Sequence, residues 1–278
     1  MYAKDGSKPF RTGINNVGLQ SHFYSVVDEN GVRDSRTTEE FLAEKVEQPA
    51  NPVIKKIRRR ARMTAEDKRK LAVYMVGMST RVPKSREQVR RDVPRRMQAA
   101  RETTWETLHK LASDSQEDQQ RLEHLLKETQ EAFIRIEKDL IKELSLPFFD
   151  EEVIATVCSM AWTRFAGHRR SSLVTSDNPF CYTESEGLLS DSSFFVFPVC
   201  SDAVLIGSWA PAGYPDYAIG HTRLGQDDTD AINRIVISSA AKYIYHCARS
   251  KWVSDMIKYT MERQASGIGG QGSAGGQE

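Results

Sequence analysis

The chain has 278 residues, of which 39% are hydrophobic and 28% charged, and its formal net charge is +1. This length and composition fit a soluble globular protein with one large or two small domains and a buried core. No apolar run reaches the roughly 18 residues that a transmembrane helix needs, and the N-terminus lacks the apolar core of a signal peptide. We therefore expect a cytoplasmic protein with no membrane partner.

Charge is distributed unevenly along the chain. Residues 55–101 contain 17 Lys and Arg against 4 Asp and Glu, whereas the remainder carries 22 basic and 34 acidic residues. Such a basic block can bind nucleic acid or an acidic protein, and it can equally pair with an acidic part of the same fold. Only Tyr74 could stack on a base within the block, which argues against single-strand recognition and leaves binding to a duplex backbone open.

The N-terminal part of the chain predicts short strands followed by helices. Residues 21–27 alternate in a β-rich pattern, and residues 28–31 end in glycine and predict a turn. A helix is predicted from Thr37 or Thr38 to residue 46, capped by the threonine side chain. The prolines at positions 49 and 52 are predicted to interrupt it before a second short helix.

Longer helices are predicted next. Thr64 to Asp67 reads as a capping box in which Asp replaces the usual Glu, and residues 71–78 are apolar on every side, as in an interior helix. Residues 84–101 predict a basic helix that Pro94 kinks or divides. The longest helix is predicted over residues 115–144, with an apolar stripe that can pack on the domain or on a second copy.

The second half of the chain predicts a sheet and then a helix. After a short helix or turn at 150–157, strands are expected near residues 158–165, 171–176, 194–199, 203–208 and 216–223. A helix then begins after residue 225 and continues to residue 260. The four cysteines are widely spaced and predict buried free thiols rather than a disulfide set or a zinc site.

These elements predict an α+β fold in a single domain over residues 1–263. Its helical N-terminal half (37–147) packs on a largely antiparallel β-sheet (158–223), and a C-terminal helix (227–260) packs back on that sheet. The glycine-rich residues 264–278 predict a disordered tail.

Short motifs spread over most of the chain carry a resemblance to a known family. They are Asn16-Val-Gly18, Phe23-Tyr24, Glu40 with Glu47, Arg81-x-Pro83 with Arg86, Trp162, Thr175-Ser-Asp-Asn-Pro179, Phe197-Pro198 with Leu205, and Asn233. In this order they resemble the bacterial family called domain of unknown function 4238. That family has no established activity, so the resemblance implies a fold and no function.

Fuller members of the family begin with a His-His-Tyr-Val-Pro-type segment that this chain does not match. We expect that a preceding segment is missing. If the histidine pair of that segment carries chemistry, this chain cannot perform it unaided.

The best candidate site is the motif Ser176-Asp177-Asn178-Pro179. A Ser and an Asp leaving a strand end together can present a hydroxyl and a carboxylate to a cleft for metal or proton chemistry. The same residue types also form an Asx-type turn, in which the Asp177 or Asn178 side chain bonds to nearby backbone. The family motifs add Asn233 and Tyr24 as further candidates.

Glu40, Glu47 and Arg81 are the candidates from the helical half. Glu40 and Glu47 are seven residues apart, so on an α-helix they share a face, where they can hold a divalent ion with a third ligand such as Asp177 or remain solvated. Arg81 follows the apolar helix and can clamp a carboxylate or phosphate, or bond to the helix carbonyls. No zinc, dinucleotide, ATP or Gly-x-Ser-x-Gly motif occurs, so the sequence names no cofactor.

Two functional hypotheses stay open. In the first, the protein is a hydrolase or nuclease acting on nucleic acid, with Ser176, Asp177, Glu40 and Arg81 in one cleft beside the basic helices. In the second, it is a non-catalytic interaction or defence-associated module whose motifs are turns and caps and whose basic face binds a partner. The sequence fixes neither the substrate nor the oligomeric state.

Overall fold

The computed structural model describes residues 1–11, 26–27, 33–34, 37–80, 83–111, 116–144, 149–168, 172–182, 188–209 and 217–266. These residues belong to two compact units, one formed by Met1–Ser79 with Phe149–Glu278 and the other by Thr80–Phe148. The single domain predicted over residues 1–263 stays a prediction.

Helices dominate the first half of the chain and strands the second. The helices are α1 (Thr37–Phe41), α2 (Gln48–Arg58), α3 (Ala65–Thr80), α4 (Pro83–Leu111), α5 (Gln116–Leu144), α6 (Glu151–Ser159), α7 (Gln226–Ser239) and α8 (Lys251–Ala265). The strands are β1 (Tyr2–Ala3), β2 (Val26–Val27), β3 (Arg33–Asp34), β4 (Ala161–Ala166), β5 (Thr175–Ser176), β6 (Cys181–Tyr182), β7 (Phe194–Cys200), β8 (Ala203–Ser208), β9 (Tyr217–Arg223) and β10 (Tyr243–Tyr245).

The sheets confirm the predicted α+β class. A five-stranded sheet has the order β6-β7-β8-β4-β9, in which only the β4–β9 pair is parallel. A second sheet has the order β1-β10-β5 and is antiparallel throughout. Strands β2 and β3 form an antiparallel pair where the sequence predicts a hairpin, although its turn lies outside the described residues. The C-terminal helix is also present, as α8.

The first predicted helix is not interrupted by its prolines. Between α1 and α2 the chain forms a π-helical segment, Leu42–Glu47, so that helical backbone extends from residue 37 to residue 58. Pro49 lies in the first turn of α2, where a missing N–H does least harm, and Pro52 is accepted inside the helix. The buried side chains of Ala50, Val53 and Ile57 hold this helix on the core despite the lost hydrogen bond.

The predicted capping box begins α3. The Asp67 backbone N–H donates to Thr64 Oγ1 at 3.1 Å, and the Thr64 N–H donates to Asp67 Oδ2 at 2.9 Å. A shorter Asp therefore replaces Glu in this reciprocal pair. Leu71, Ala72 and Met75 of the same helix are fully buried, which confirms the prediction of an interior helix.

The five-stranded sheet separates two hydrophobic cores. On one face Trp162, Phe195 and Phe197 pack with α2, α3 and α6. On the other face Val196 and Val204 pack with α7, α8 and Ile244 of β10. Because Phe195, Val196 and Phe197 are consecutive, their assignment to alternate cores follows the period of two in a strand.

The prediction of a helix over residues 227–260 is wrong for the segment between α7 and α8. Helix α7 ends at Ser239, and Tyr243–Tyr245 form β10, the central strand of the three-stranded sheet. Two tyrosines flanking a fully buried isoleucine are typical of a half-buried strand. The helical spacing of apolar residues continues from α7 into this segment, so the sequence pattern did not indicate the change from helix to strand.

The second compact unit is built from α4 and α5, which are 29 residues each and pack against each other. Pro94 lies inside α4 and does not divide it. Along α5, Leu122 and Phe133 are half-buried, whereas Leu125 and Ile136 remain 47% and 48% exposed. Packing of this stripe on a second copy stays a prediction.

All four cysteines are free, as predicted, but the prediction that they are buried holds for Cys181 alone. Cys158 and Cys200 are half-buried, and Cys247 is exposed. No helix among the described residues is long and apolar enough to cross a membrane.

We predict that Gly207→Ala destabilises the protein by about 1–3 kcal/mol, the range for overpacked cores. A Cβ at Gly207 would overlap Cε1 of Phe195, whose buried ring is fixed edge-on against Trp162 with centroids 5.5 Å apart. Urea unfolding followed by tryptophan fluorescence measures the loss. Gly167→Ala is the matched control, because its Cβ would lie 3.4 Å from Leu173 Cδ1; equal losses in both variants would contradict the packing argument.

Candidate functional site

The carboxylate of Asp177 is bound by three consecutive backbone N–H groups. Oδ1 accepts from Ala241 at 2.9 Å, and Oδ2 accepts from Lys242 at 2.8 Å and Tyr243 at 2.9 Å. The backbone N–H of Asp177 donates in turn to the carbonyl of Tyr243 at 3.1 Å. Asp177 therefore fixes the turn that connects α7 to β10.

Ser176 and Asn178 form a tight turn next to Asp177. Ser176 Oγ donates to the Asn178 carbonyl at 2.9 Å and accepts from the Asn178 N–H at 3.2 Å. The side-chain amide of Asn178 donates to the carbonyl of Ser239, at the end of α7, at 3.1 Å. Ser176 is only 5% exposed, so its hydroxyl is enclosed by these backbone groups.

Asn233 joins α7 to the segment before β5. Its side chain is fully buried, with Oδ1 accepting from the Val174 N–H at 3.0 Å and Nδ2 donating to the Ser172 carbonyl at 3.1 Å. We call Ser176, Asp177, Asn178 and Asn233 the β5–α7 staple. The structure thus brings together four of the predicted site residues, and it uses them to hold backbone segments together.

Tyr245 of β10 lies beside this staple. Burial, with the negative charge of Asp177 as a second cause, raises the pKa of Tyr245 to about 12. Its Oη is buried and has no hydrogen-bond partner among the described residues. Tyr245 therefore stays a neutral phenol through the physiological pH range.

Glu40 and Glu47 belong to the first helical segments of the chain. Glu40 is exposed on α1, and Glu47 is half-buried at the end of the π-helical segment. The prediction that they share a face assumed 3.6 residues per turn, and a π-helix has a wider turn. Buried Leu42 and Val46 on the same segment pack against Tyr74 and Phe149.

The structure does not assemble the predicted carboxylate set for a divalent ion. Among the described residues, no group of three or more His, Cys, Asp or Glu side chains is placed to hold a metal ion. Glu40, Glu47 and Asp177 all belong to that described part of the chain. Arg81 and Tyr24 lie outside it, so their roles stay predictions.

Part of the basic block is paired within the first unit. Lys56 donates to both carboxylate oxygens of Asp67 at 2.8 and 2.7 Å, and Arg69 Nη2 lies 2.8 Å from Glu151 Oε2. Burial opposes ionisation of Asp67, but the Lys56 ammonium and the Thr64 hydrogen bonds together lower its pKa. These pairs match the expectation that basic helices bind acidic residues of the same fold.

The arginines of α4 differ from those pairs. Arg90, Arg91, Arg95 and Arg96 are exposed. Arg91 lies 3.4 Å from the carboxylate of its neighbour Asp92, and among the described residues the other three have no ion pair. These four residues, called the α4 arginine cluster below, form a positive surface within the second unit in which one of the four guanidinium groups has an ion pair.

Two polar residues of the sheet were not singled out from the sequence. Arg164 is 3% exposed in the middle of β4, and Tyr217 begins β9. The available signal was the alternation of β4, which places Arg164 on the same face as Trp162. A charged residue at a buried strand position is the kind of exception that calls for a partner.

A family model described as "Protein of unknown function (DUF4238)" matches residues 1–250 of the chain. The chain belongs to this family. No curated protein and no solved structure matches it. The DUF4238 match spans the whole β5–α7 staple and the backbone of residues 241–243 that Asp177 binds.

We predict that Asp177→Ala destabilises this DUF4238 protein by about 3 kcal/mol, because three N–H groups lose a charged acceptor. Asp177→Asn keeps one acceptor oxygen, and its stability is expected to lie between that of wild type and that of Asp177→Ala. Chemical unfolding measures both, with the exposed Asp191→Ala as a control that stays within about 0.5 kcal/mol of wild type. An Asp177→Ala protein as stable as that control would remove the structural role.

We predict that Tyr245→Phe flattens the loss of stability at alkaline pH. In the folded protein Tyr245 ionises near pH 12, whereas in the unfolded chain it ionises near pH 10, as tyrosines ordinarily do. Between about pH 10 and 12 the unfolded state therefore binds fewer protons, and folding stability falls as the pH rises.

Phenylalanine cannot ionise, so the variant is expected to lose less stability than wild type over this range and to match it at pH 7. Thermal unfolding at a series of pH values gives the difference. Tyr259→Phe, at an exposed site on α8, is the control. Parallel pH profiles for wild type and Tyr245→Phe would contradict the raised pKa.

Proposed function

We propose that this DUF4238 protein is a non-catalytic binding module that holds the phosphate backbone of a nucleic-acid duplex with the α4 arginine cluster. The observation that carries the proposal is the exposure of Arg90, Arg91, Arg95 and Arg96 beside a single ion-paired acid, Asp92, among the described residues. Arg90, Arg95 and Arg96 have no ion pair among the described residues. Their planar guanidinium groups are therefore available to phosphate oxygens, whose geometry they match.

The spacing of the cluster supports contact with an extended polyanion. The pair Arg90–Arg91 and the pair Arg95–Arg96 are separated by about 7.5 Å along the helix axis, at 1.5 Å per residue. Of the four, Arg91 and Arg95 are spaced i, i+4 and share a face of α4, and Arg90 and Arg96 flank that face on either side. We infer that this face lies along one phosphate backbone. Each contact releases condensed counterions, which makes the affinity depend steeply on salt.

The β5–α7 staple supports a structural rather than a chemical role for the family motifs. The Asp177 carboxylate is occupied by backbone N–H groups, and the Ser176 hydroxyl is enclosed within its own turn. A general base or nucleophile needs a proton or a substrate atom within about 3 Å. Such a group would have to displace the hydrogen bonds that hold β5 to β10.

The hydrolase hypothesis remains the second candidate through Glu40 and Arg81. The proposed binding function requires only the exposed arginines of α4. A cytoplasmic location, where nucleic acid is available, is part of the same proposal.

We predict that the wild-type protein binds duplex DNA with a strong salt dependence. The triple variant Arg90→Gln, Arg95→Gln, Arg96→Gln is expected to weaken binding at every sequence and to reduce the slope of log K against log salt by about 3, at about 0.9 per lost contact. Fluorescence anisotropy with labelled duplexes at several chloride concentrations measures the slope. A control variant, Arg249→Gln, Lys251→Gln, Lys258→Gln, loses the same charge from exposed positions of the first unit.

Equal weakening in the two triple variants would mean that net charge alone, and not the α4 arginine cluster, decides binding. If the wild-type protein does not bind DNA but binds an acidic polypeptide through α4, nucleic acid is not its partner and the proposed function is wrong on this point. Incubating the duplex with protein and Mg²⁺ tests catalysis. Cleavage that is lost in a stably folded Ser176→Ala protein would overturn the non-catalytic role.

A further inference from the structure

Arg164 is a buried cation that has no counterion among the described residues. It is 3% exposed, and its Nε and Nη1 atoms are buried with no hydrogen-bond partner among the described residues. An unpaired ion in the protein interior costs several kcal/mol, because it has given up hydration without replacement. Some anion is therefore needed to compensate Arg164.

The described buried residues contain no acid for this purpose. Asp67 is the one acidic side chain among them, and its carboxylate is bound by Lys56 and by the backbone of Thr64. Lys68 adds a second buried cation on the same side of the sheet. Its ammonium donates to the Met160 carbonyl at 2.6 Å and lies 5.3 Å from the centre of the Trp162 ring.

Tyr217 supplies a second unpartnered donor beside Arg164. In the parallel register Tyr217 lies opposite Trp162 and Ile219 lies opposite Arg164, so Tyr217 and Arg164 are diagonal neighbours on one face. The Tyr217 Oη is buried and, within the described residues, accepts and donates no hydrogen bond. Burial raises the pKa of Tyr217, and the Arg164 charge opposes the rise, which places the two groups within electrostatic reach.

We propose that Arg164 and Tyr217 form a binding site for a small oxyanion, a carboxylate or phosphate group, on the helix-covered face of the five-stranded sheet. The guanidinium offers two N–H donors on one edge to two oxygens of the anion, and the phenol donates to one of them. The bound anion neutralises a charge that the described fold leaves uncompensated. This site is separate from the α4 arginine cluster and does not depend on it.

The test is thermal unfolding of the full chain in buffers of constant ionic strength, in which chloride is replaced stepwise by inorganic phosphate or by acetate. We expect at least one of these oxyanions to raise the wild-type midpoint by about 3 °C or more and to saturate, as a single binding site does. The two series distinguish a phosphate from a carboxylate ligand.

Arg164→Met is expected to abolish the saturable rise. In chloride alone it should be at least as stable as wild type, because an apolar side chain replaces an unpaired cation. Tyr217→Phe keeps the cation and loses one donor, so its response is expected to be weaker but present. Arg249→Met, at an exposed position, is expected to respond as wild type does.

Two outcomes would overturn the proposal. Equal and unsaturated shifts in wild type and Arg164→Met would show that the oxyanions act by general exclusion from the protein surface. A wild-type protein that responds to neither anion, with an Arg164→Met variant that is strongly destabilised in chloride, would show that the guanidinium is paired within the chain. If Arg164→Met does not fold, the comparison of Tyr217→Phe with wild type tests the proposal. A weaker rise of the midpoint in Tyr217→Phe supports the site, and an equal rise contradicts it.

Discussion

The capture of three consecutive backbone N–H groups by Asp177 is the constraint on which the C-terminal half of the first unit depends. The chain has to leave α7 at Ser239, turn, and enter β10 within a few residues. The N–H groups of residues 241–243 have no partner in a regular element at that turn, and burying them unpaired would be costly. A carboxylate satisfies all three at once, which a neutral side chain cannot do as strongly.

The position of β10 then determines how the second core closes. With the turn fixed, Ile244 points into the core with Val236 and Ile237 of α7, and β10 pairs with β1 on one side and β5 on the other. Tyr2 and Ala3 are thereby paired with Ile244 and Tyr243, near the other end of the chain. Asn233 reinforces this closure from α7, because its amide satisfies both an N–H and a carbonyl on the segment that leads into β5.

The sequence allowed prediction of features whose signals are local. The capping box at Thr64 and Asp67 and the interior helix that follows depend on residues within a few positions of one another, and both are present. The strand β10 was missed because its apolar spacing continues that of α7, and what makes it a strand is pairing with β1 and β5. The π-helical segment was missed because no short pattern distinguishes it from an α-helix, so the shared face expected for Glu40 and Glu47 rested on the wrong period. The Ser-Asp-Asn-Pro motif predicted either a turn or a site. The partners of Asp177 could not be predicted, because they lie more than 60 residues away in the sequence.

Buried polar side chains in this fold differ in whether the described residues satisfy their hydrogen bonds. Asn233 and Asp67 have their hydrogen bonds met by the fold itself, so removing either partner damages folding and nothing external is required. Arg164 is buried to a similar extent, yet its Nε and Nη1 atoms have no hydrogen-bond partner among the described residues. The buried Oη of Tyr217, a half-buried residue, has no partner among them either. A fold gains no stability from an uncompensated guanidinium, since an apolar residue of the same volume would serve the core better. The guanidinium on the buried face of β4, unpaired among the described residues, is therefore the observation that supports the proposed oxyanion site.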